Sequence, residues 1–221
     1  MAIVAPSLLA ANFLKLEDEC KMINASEADW LHLDVMDGQF VPNISFGIPV
    51  IEHVRKATSK IFDVHLMIET PENLVPAFKK AGADNIIIHY EVCKNLHRNI
   101  QQIKELGMNA AVAINPHTPV FLLEDILADL HHVLIMTVNP GFGAQKFIPH
   151  SIEKVKQLRK LIDAKNLNVL IEVDGGVTLE NANDLVDAGA DVLVAGNTVF
   201  SSKDPLDTIK KLKAVERSYK L

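Results

Sequence analysis

The residues best suited to chemistry are two histidines and two aspartates that interrupt otherwise apolar runs. His32 and Asp34 lie within Trp30 to Val35, His65 lies within Ile61 to Leu66, and Asp174 closes Val169 to Asp174. Side chains two apart on a strand point to the same face, so His32 and Asp34 project together. Neutral imidazoles with carboxylates make a donor set suited to zinc, iron, cobalt or manganese. One such residue alone reads more simply as a hydrogen-bonded structural group. All four in one place would set two carboxylates against each other, and one divalent metal ion between them is the economical remedy. His53, His89, His97, His117, His131, His132 and His150 have no comparable partners in the pattern and read mostly as surface or loop residues.

Three glycine-bearing segments form a second group: Asn139-Pro140-Gly141-Phe142-Gly143-Ala144, Asp174-Gly175-Gly176 and Ala195-Gly196-Asn197. Glycine lets backbone N–H groups approach an anion closely. Each segment alone is an ordinary turn, but three in succession point to a bound phosphate ester.

These groups meet only if the elements that carry them converge. Short apolar runs recur at Ile3-Val4-Ala5, Trp30 to Val35, Ile61 to Leu66, Asn85 to His89, Ala110 to Asn115, Val133 to Val138, Val169 to Asp174 and Val192 to Ala195, each followed by a loop and a helix. Helical spacing shows in Leu14, Leu16, Cys20 and Ile23, and again in Val155, Leu158, Leu161 and Ile162. Gly82, Gly107 and Gly189 stop helices, while Pro71, Pro119 and Pro149 lie near helix starts. Alternating strands and helices require a parallel sheet, and eight units favour closure into a single (β/α)8 TIM barrel over residues 1–221. The active site of such a barrel lies at the C-terminal strand ends, where Ser7, His32, Asp34, His65, Met136 and Asp174 fall. The glycine segments follow strands six, seven and eight, the side on which barrels bind phosphate. Lys80-Ala81-Gly82-Ala83-Asp84 and Asp187-Ala188-Gly189-Ala190-Asp191 echo each other, as half-barrel symmetry would produce, although Ala-Gly-Ala-Asp is also simply a good helix stop.

With 48% hydrophobic and 23% charged residues the composition is that of a soluble globular protein. No segment offers the roughly 18 uncharged apolar residues of a membrane span. Met1 to Ser7 shows no secretory leader, and Cys20 and Cys93 are the only cysteines, so the expected location is cytoplasmic. A net charge of −6 argues against nucleic acid as a partner.

Six segments taken together resemble the ribulose-phosphate 3-epimerase family from end to end. They are Ala5-Pro6-Ser7-Leu8-Leu9-Ala10, Leu31-His32-Leu33-Asp34-Val35-Met36-Asp37-Gly38, Asp63-Val64-His65-Leu66-Met67, Met136-Thr137-Val138-Asn139-Pro140-Gly141-Phe142-Gly143, Glu172-Val173-Asp174-Gly175-Gly176 and Val194-Ala195-Gly196-Asn197. The resemblance implies His32, Asp34, His65 and Asp174 as metal ligands, with Asp34 and Asp174 doubling as the catalytic proton-transfer pair. It implies substrate contacts at Ser7, His65, Gly141, Phe142, Gly143, Ala144, Asp174, Gly175, Gly176, Gly196 and Asn197, and a homo-oligomer. It also implies an apolar lid of Met36, Met67 and Met136, for which ordinary packing is the simpler reading. Ala144 stands where the family often has glycine, Gln39 where histidine is frequent, and Asn197 where serine is common.

The implied reaction is epimerisation at C3 of a ketose phosphate, D-ribulose 5-phosphate to D-xylulose 5-phosphate in the pentose phosphate pathway, with allulose 6-phosphate as the alternative substrate. It needs a base, stabilisation of an enediolate, and an acid on the opposite face. A metal-dependent hydrolase could use the same ligands, but no separate leaving-group acid is apparent. A non-catalytic sugar-phosphate-binding barrel would retain two aspartates that oppose its anionic ligand.

Overall fold

The eight apolar runs become eight strands in a computed structural model that describes residues 1–218. They are β1 (Ile3–Pro6), β2 (Trp30–Met36), β3 (Ile61–Met67), β4 (Asn85–His89), β5 (Asn109–Ile114), β6 (His132–Met136), β7 (Leu170–Asp174) and β8 (Val192–Ala195). Residues 219–221 of the expected 1–221 barrel lie outside the described residues. All pairings are parallel in the order β1-β8-β7-β6-β5-β4-β3-β2. A parallel bridge between Ser7 and His32 brings β1 to β2 and nearly closes the barrel. Asp29 secures that seam, its N–H donating to Val4 O at 3.0 Å and its Oδ2 accepting from Val4 N–H at 2.9 Å.

Helices α1 (Leu16–Ala25), α2 (Ile48–Ala57), α3 (Val75–Ala81), α4 (Leu96–Glu105), α5 (Ser151–Ala164), α6 (Ala182–Ala188), α7 (Asn197–Phe200) and α8 (Pro205–Lys213) surround the sheet. Ile23, Val54, Phe78, Ile103, Leu158 and Ile209 on the helices and Leu31, Val64, Ile86 and Val133 on the strands belong to one continuous apolar layer. Each such side chain contributes about 1.5–3 kcal/mol when fully buried. No helix among the described residues is long and apolar enough to cross a membrane.

The expectation of a helix after every strand fails between β5 and β6, where only the 3₁₀ turns Val120–Leu123 and Leu127–Asp129 form. Pro116 and Pro119 withhold backbone donors and bias their preceding residues away from helical geometry, so the connection folds as short turns that bury Val120, Leu123 and Leu127.

The sequence echo is a repeat in three dimensions. Gly82 and Gly189 end α3 and α6 with φ of +100° and +122°, a region open to glycine and strained for other residues. Arg55 Nη1 on α2 donates to Gly82 O (3.4 Å) and Asp84 Oδ2 (3.3 Å), and Arg159 Nη2 on α5 donates to Gly189 O (3.3 Å) and Asp191 Oδ2 (2.6 Å). The same two carboxylates accept from Phe62 N–H on β3 and Ile171 N–H on β7, each at 2.8 Å. A Cβ added at Gly189 would lie 2.7 Å from Arg159 Cβ. Gly189→Ala should therefore destabilise the fold by about 1–3 kcal/mol, read as a lower urea midpoint at unchanged slope.

Strand alternation carries the site. The inward set on β2 is His32, Asp34 and Met36, and pairing places these beside Asp63, His65 and Met67 on β3. Met136 on β6 is likewise level with Asp174 on β7.

Candidate active site

At the C-terminal end of the barrel the ligating atoms of His32, Asp34, His65 and Asp174 all lie within 4.8 Å of one another. Asp34 Oδ1 sits 3.3 Å from His32 Nε2 and 3.1 Å from His65 Nδ1, and Asp174 Oδ2 is 3.9 Å from His65 Nδ1. Ser7 Oγ donates to the other Asp34 oxygen, Oδ2, at 2.6 Å. The structure thus brings together the four residues read from the sequence as metal ligands.

This donor set fits a cation. His32 Nδ1 is tied to Asp63 Oδ2 at 2.7 Å, while its Nε2 is buried without a hydrogen-bond partner and faces the cluster. A carboxylate behind a histidine is the arrangement that fixes the tautomer of a metal ligand and strengthens its free nitrogen as a donor.

The two aspartates are electrostatically unequal. Burial would raise Asp34, but the His32 and His65 rings beside it hold its carboxyl well below the usual range. Asp174 is pushed up to about 7 by burial and then by the charge of Asp34. One carboxyl is thereby kept ionised while its neighbour readily takes a proton.

Above the cluster opens a cavity of ≈ 190 Å³ whose walls include Ser7, Asp34, Asp174 and the three methionines expected as a lid, Met36, Met67 and Met136. Its rim holds Gly141, Phe142, Gly143, Ala144, Gly175, Gly176, Gly196 and Asn197, so every glycine segment singled out in the sequence reaches it. His65, expected as a substrate contact, lies beneath the floor and not on the wall. Gly176, at φ +65°, leaves no room for a Cβ, which would meet Phe147 N at 2.8 Å. Ala144 adopts φ +56°, a left-handed turn that glycine would take without strain.

Two histidines contradict the sequence reading. His89 and His132, expected among surface or loop residues, are fully buried. His89 Nε2 is 2.8 Å from His65 Nε2, and His132 Nε2 lies 3.4 Å from Asp63 Oδ1 and 3.2 Å from Glu172 Oε2. Both occupy inward positions on their strands, and inside a barrel those positions converge whatever their separation in the chain. Asp63 and Glu172 were missed as well, although each stands two residues before a predicted ligand and so shares its face. Extending the period-two rule by one step would have found them.

This deeper layer makes a pH prediction. Burial opposes the charge of His132, but Asp63 and Glu172 outweigh it and raise its pKa from 6.5 to about 9. A group that binds its proton more tightly when folded stabilises the fold fully below its unfolded pKa and loses that contribution as pH rises through the folded one. Stability should therefore fall between pH 6.5 and about 9 or slightly above, by on the order of 3 kcal/mol from this residue. Urea midpoints across that range should show the decline, and His132→Asn should flatten it.

Fold and site together define a TIM-barrel protein with a buried histidine–aspartate centre beneath a glycine-rimmed cavity. The sequence profile of the ribulose-phosphate 3 epimerase family matches residues 3–200. The ribulose-phosphate 3-epimerase of Bacillus subtilis (strain 168) is 50% identical over 211 residues, covering 95% of this chain and 97% of that protein. The chloroplastic ribulose-5-phosphate-3-epimerase of Arabidopsis thaliana is 49% identical over 217 residues, 97% of this chain and 77% of that one. The chain belongs to the ribulose-phosphate 3-epimerase family. A 3-hexulose-6-phosphate synthase structure superposes with a TM-score of 0.70 at 19% identity, over 98% of this chain and 100% of that one, a likeness of fold alone.

Proposed function

We propose that this chain interconverts D-ribulose 5-phosphate and D-xylulose 5-phosphate by moving the proton at C3, with one divalent metal ion and the Asp34–Asp174 pair. The observation that carries this reading is the pair itself. Two carboxyls reach one cluster from β2 and β7, and both line the cavity. The names of the family relatives support the choice of substrate.

In this reading one aspartate removes the C3 proton and the other returns a proton to the opposite face. Zinc, iron, manganese or cobalt bound by His32, Asp34, His65 and Asp174 would supply a Lewis acid where the enediolate's negative charge develops. Ser7 holds Asp34 through its second oxygen, leaving Oδ1 directed at the two histidines. Met36, Met67 and Met136 line the space above the carboxyls with soft apolar surface, which excludes water and stray protonation. Gly141, Gly143, Gly175, Gly176 and Gly196 let the backbone approach the phosphate, and Phe142, Ala144 and Asn197 complete that rim. The reading includes a homo-oligomer, as the family resemblance implies, whose mass light scattering reads, and a cytoplasmic location, as the cysteine usage suggests.

Proton NMR of ribulose 5-phosphate with the purified protein in deuterated water tests the assignment. The sample is run as isolated, after chelation, and after adding zinc, iron, manganese or cobalt in turn. Metal-dependent formation of xylulose 5-phosphate deuterated at C3 is the expected result. No exchange and no product with any of the metals would sink it, and allulose 6-phosphate would be the next substrate to test.

A further inference from the structure

The two histidines of the cluster present different nitrogens to it. His32 is held at Nδ1 by Asp63 and offers Nε2, whereas His65 is held at Nε2 by His89 and offers Nδ1. A contact between two imidazole nitrogens is ambiguous by itself, because either ring can be the donor. The far end of this one removes the ambiguity. His89 Nδ1 lies 3.1 Å from Glu91 Oε2, and Glu91 Oε1 accepts from Asn115 N–H at 2.8 Å and from the Thr118 hydroxyl. A backbone N–H can only donate, so Oε1 must accept. Burial would raise Glu91, but the hydrogen bonds from His89, Thr118 and Asn115 lower it to about 2, so the group is a carboxylate and Oε2 accepts too. The direction of every bond then follows. His89 carries its hydrogen on Nδ1 and its Nε2 lone pair accepts from His65 Nε2–H, so His65, when neutral as a metal ligand must be, has its lone pair on Nδ1, the nitrogen on the cluster side.

We propose that Glu91 and His89 are positioning residues that hold His65 in the one neutral tautomer able to bind a metal ion through Nδ1. The anchorage is built into the barrel. His89 ends β4, is fully buried, and has the Phe40 ring at 4.6 Å. Lys154 on α5, itself buried, donates from Nζ to Asn115 O at 2.7 Å and Pro116 O at 3.2 Å, fixing the segment that supplies the Asn115 N–H. The relay thus ties a site residue on β3 to the irregular β5–β6 connection. This inference rests on the metal-centre reading above.

Glu91→Gln tests it, because the substitution keeps the shape and reverses the polarity. Asn115 N–H requires the amide oxygen, so the amide NH₂ faces His89 Nδ1 and donates to it. His89 must then carry its hydrogen on Nε2, and the hydrogen on His65 moves to Nδ1, the side facing the cluster. Zn²⁺ affinity of the purified chain, measured by competition with a chromophoric chelator, should be about 10–100-fold weaker in Glu91→Gln than in wild type. Nitrogen-15 histidine spectra of zinc-loaded wild type, which need no variant to fold, should show His65 protonated at Nε2 and His89 at Nδ1, with His89 reversed in Glu91→Gln. Wild-type zinc affinity in Glu91→Gln, or opposite tautomers in the wild type, overturns the relay while leaving the metal centre standing. A wild-type chain that does not bind Zn²⁺ overturns the metal centre and this inference with it.

Discussion

Asp174→Asn is expected to lower kcat for interconversion of ribulose 5-phosphate and xylulose 5-phosphate by about 10²–10⁴-fold, the range for losing one proton-transferring group. Asparagine keeps the size and one oxygen of the side chain, so a zinc-saturated variant separates proton transfer from assembly of the site. The outcome should be more specific than a loss, because Asp34 still lines the cavity and can remove a C3 proton from the face it serves. In deuterated water one of the two epimers should therefore exchange its C3 proton with retention of configuration, while the other is inert. Whichever epimer exchanges identifies the face of Asp34. Near-normal turnover with metal bound would remove Asp174 from its role.

Chelation is expected to abolish turnover and to lower thermal stability together. Without a cation the two carboxyls share a small, mostly buried space with two imidazoles, and His32 Nε2 has no partner there. A ligand that binds only the folded state at 100 times its dissociation constant stabilises it by about 2.7 kcal/mol, which for a chain of this size raises Tm by roughly 5–10 °C. Differential scanning fluorimetry with and without Zn²⁺ reads the shift, and His32→Gln should remove most of it. Full activity after exhaustive chelation would leave the two aspartates and the cavity without the metal assigned to them.

Much of this was legible in the chain because barrel strands carry a simple code. Apolar runs marked all eight strands, though several ends shifted, as where β5 (Asn109–Ile114) replaced Ala110 to Asn115 and β6 (His132–Met136) replaced Val133 to Val138. His32 and Asp34 shared a face by their spacing, and the loops after β6, β7 and β8 announced themselves by glycine. The Ala-Gly-Ala-Asp echo, ambiguous as a string, became a structural repeat only through Arg55 and Arg159, which lie well before it in sequence. The connection after β5 broke the expected alternation because its prolines disfavour a helix, a local effect written in the sequence.

The sequence by itself determined the barrel, the four residues of the proposed metal centre and the glycine rim, because each depends on residue type and short spacing. Only the tertiary structure decided that His89 and His132 are interior, that Asp63 stands behind His32, and that Glu91 reaches His65 through His89. Those contacts join different strands, and strand pairing sets which inward side chains meet at one depth. No local pattern encodes that register, and the protonation states of the site follow from it.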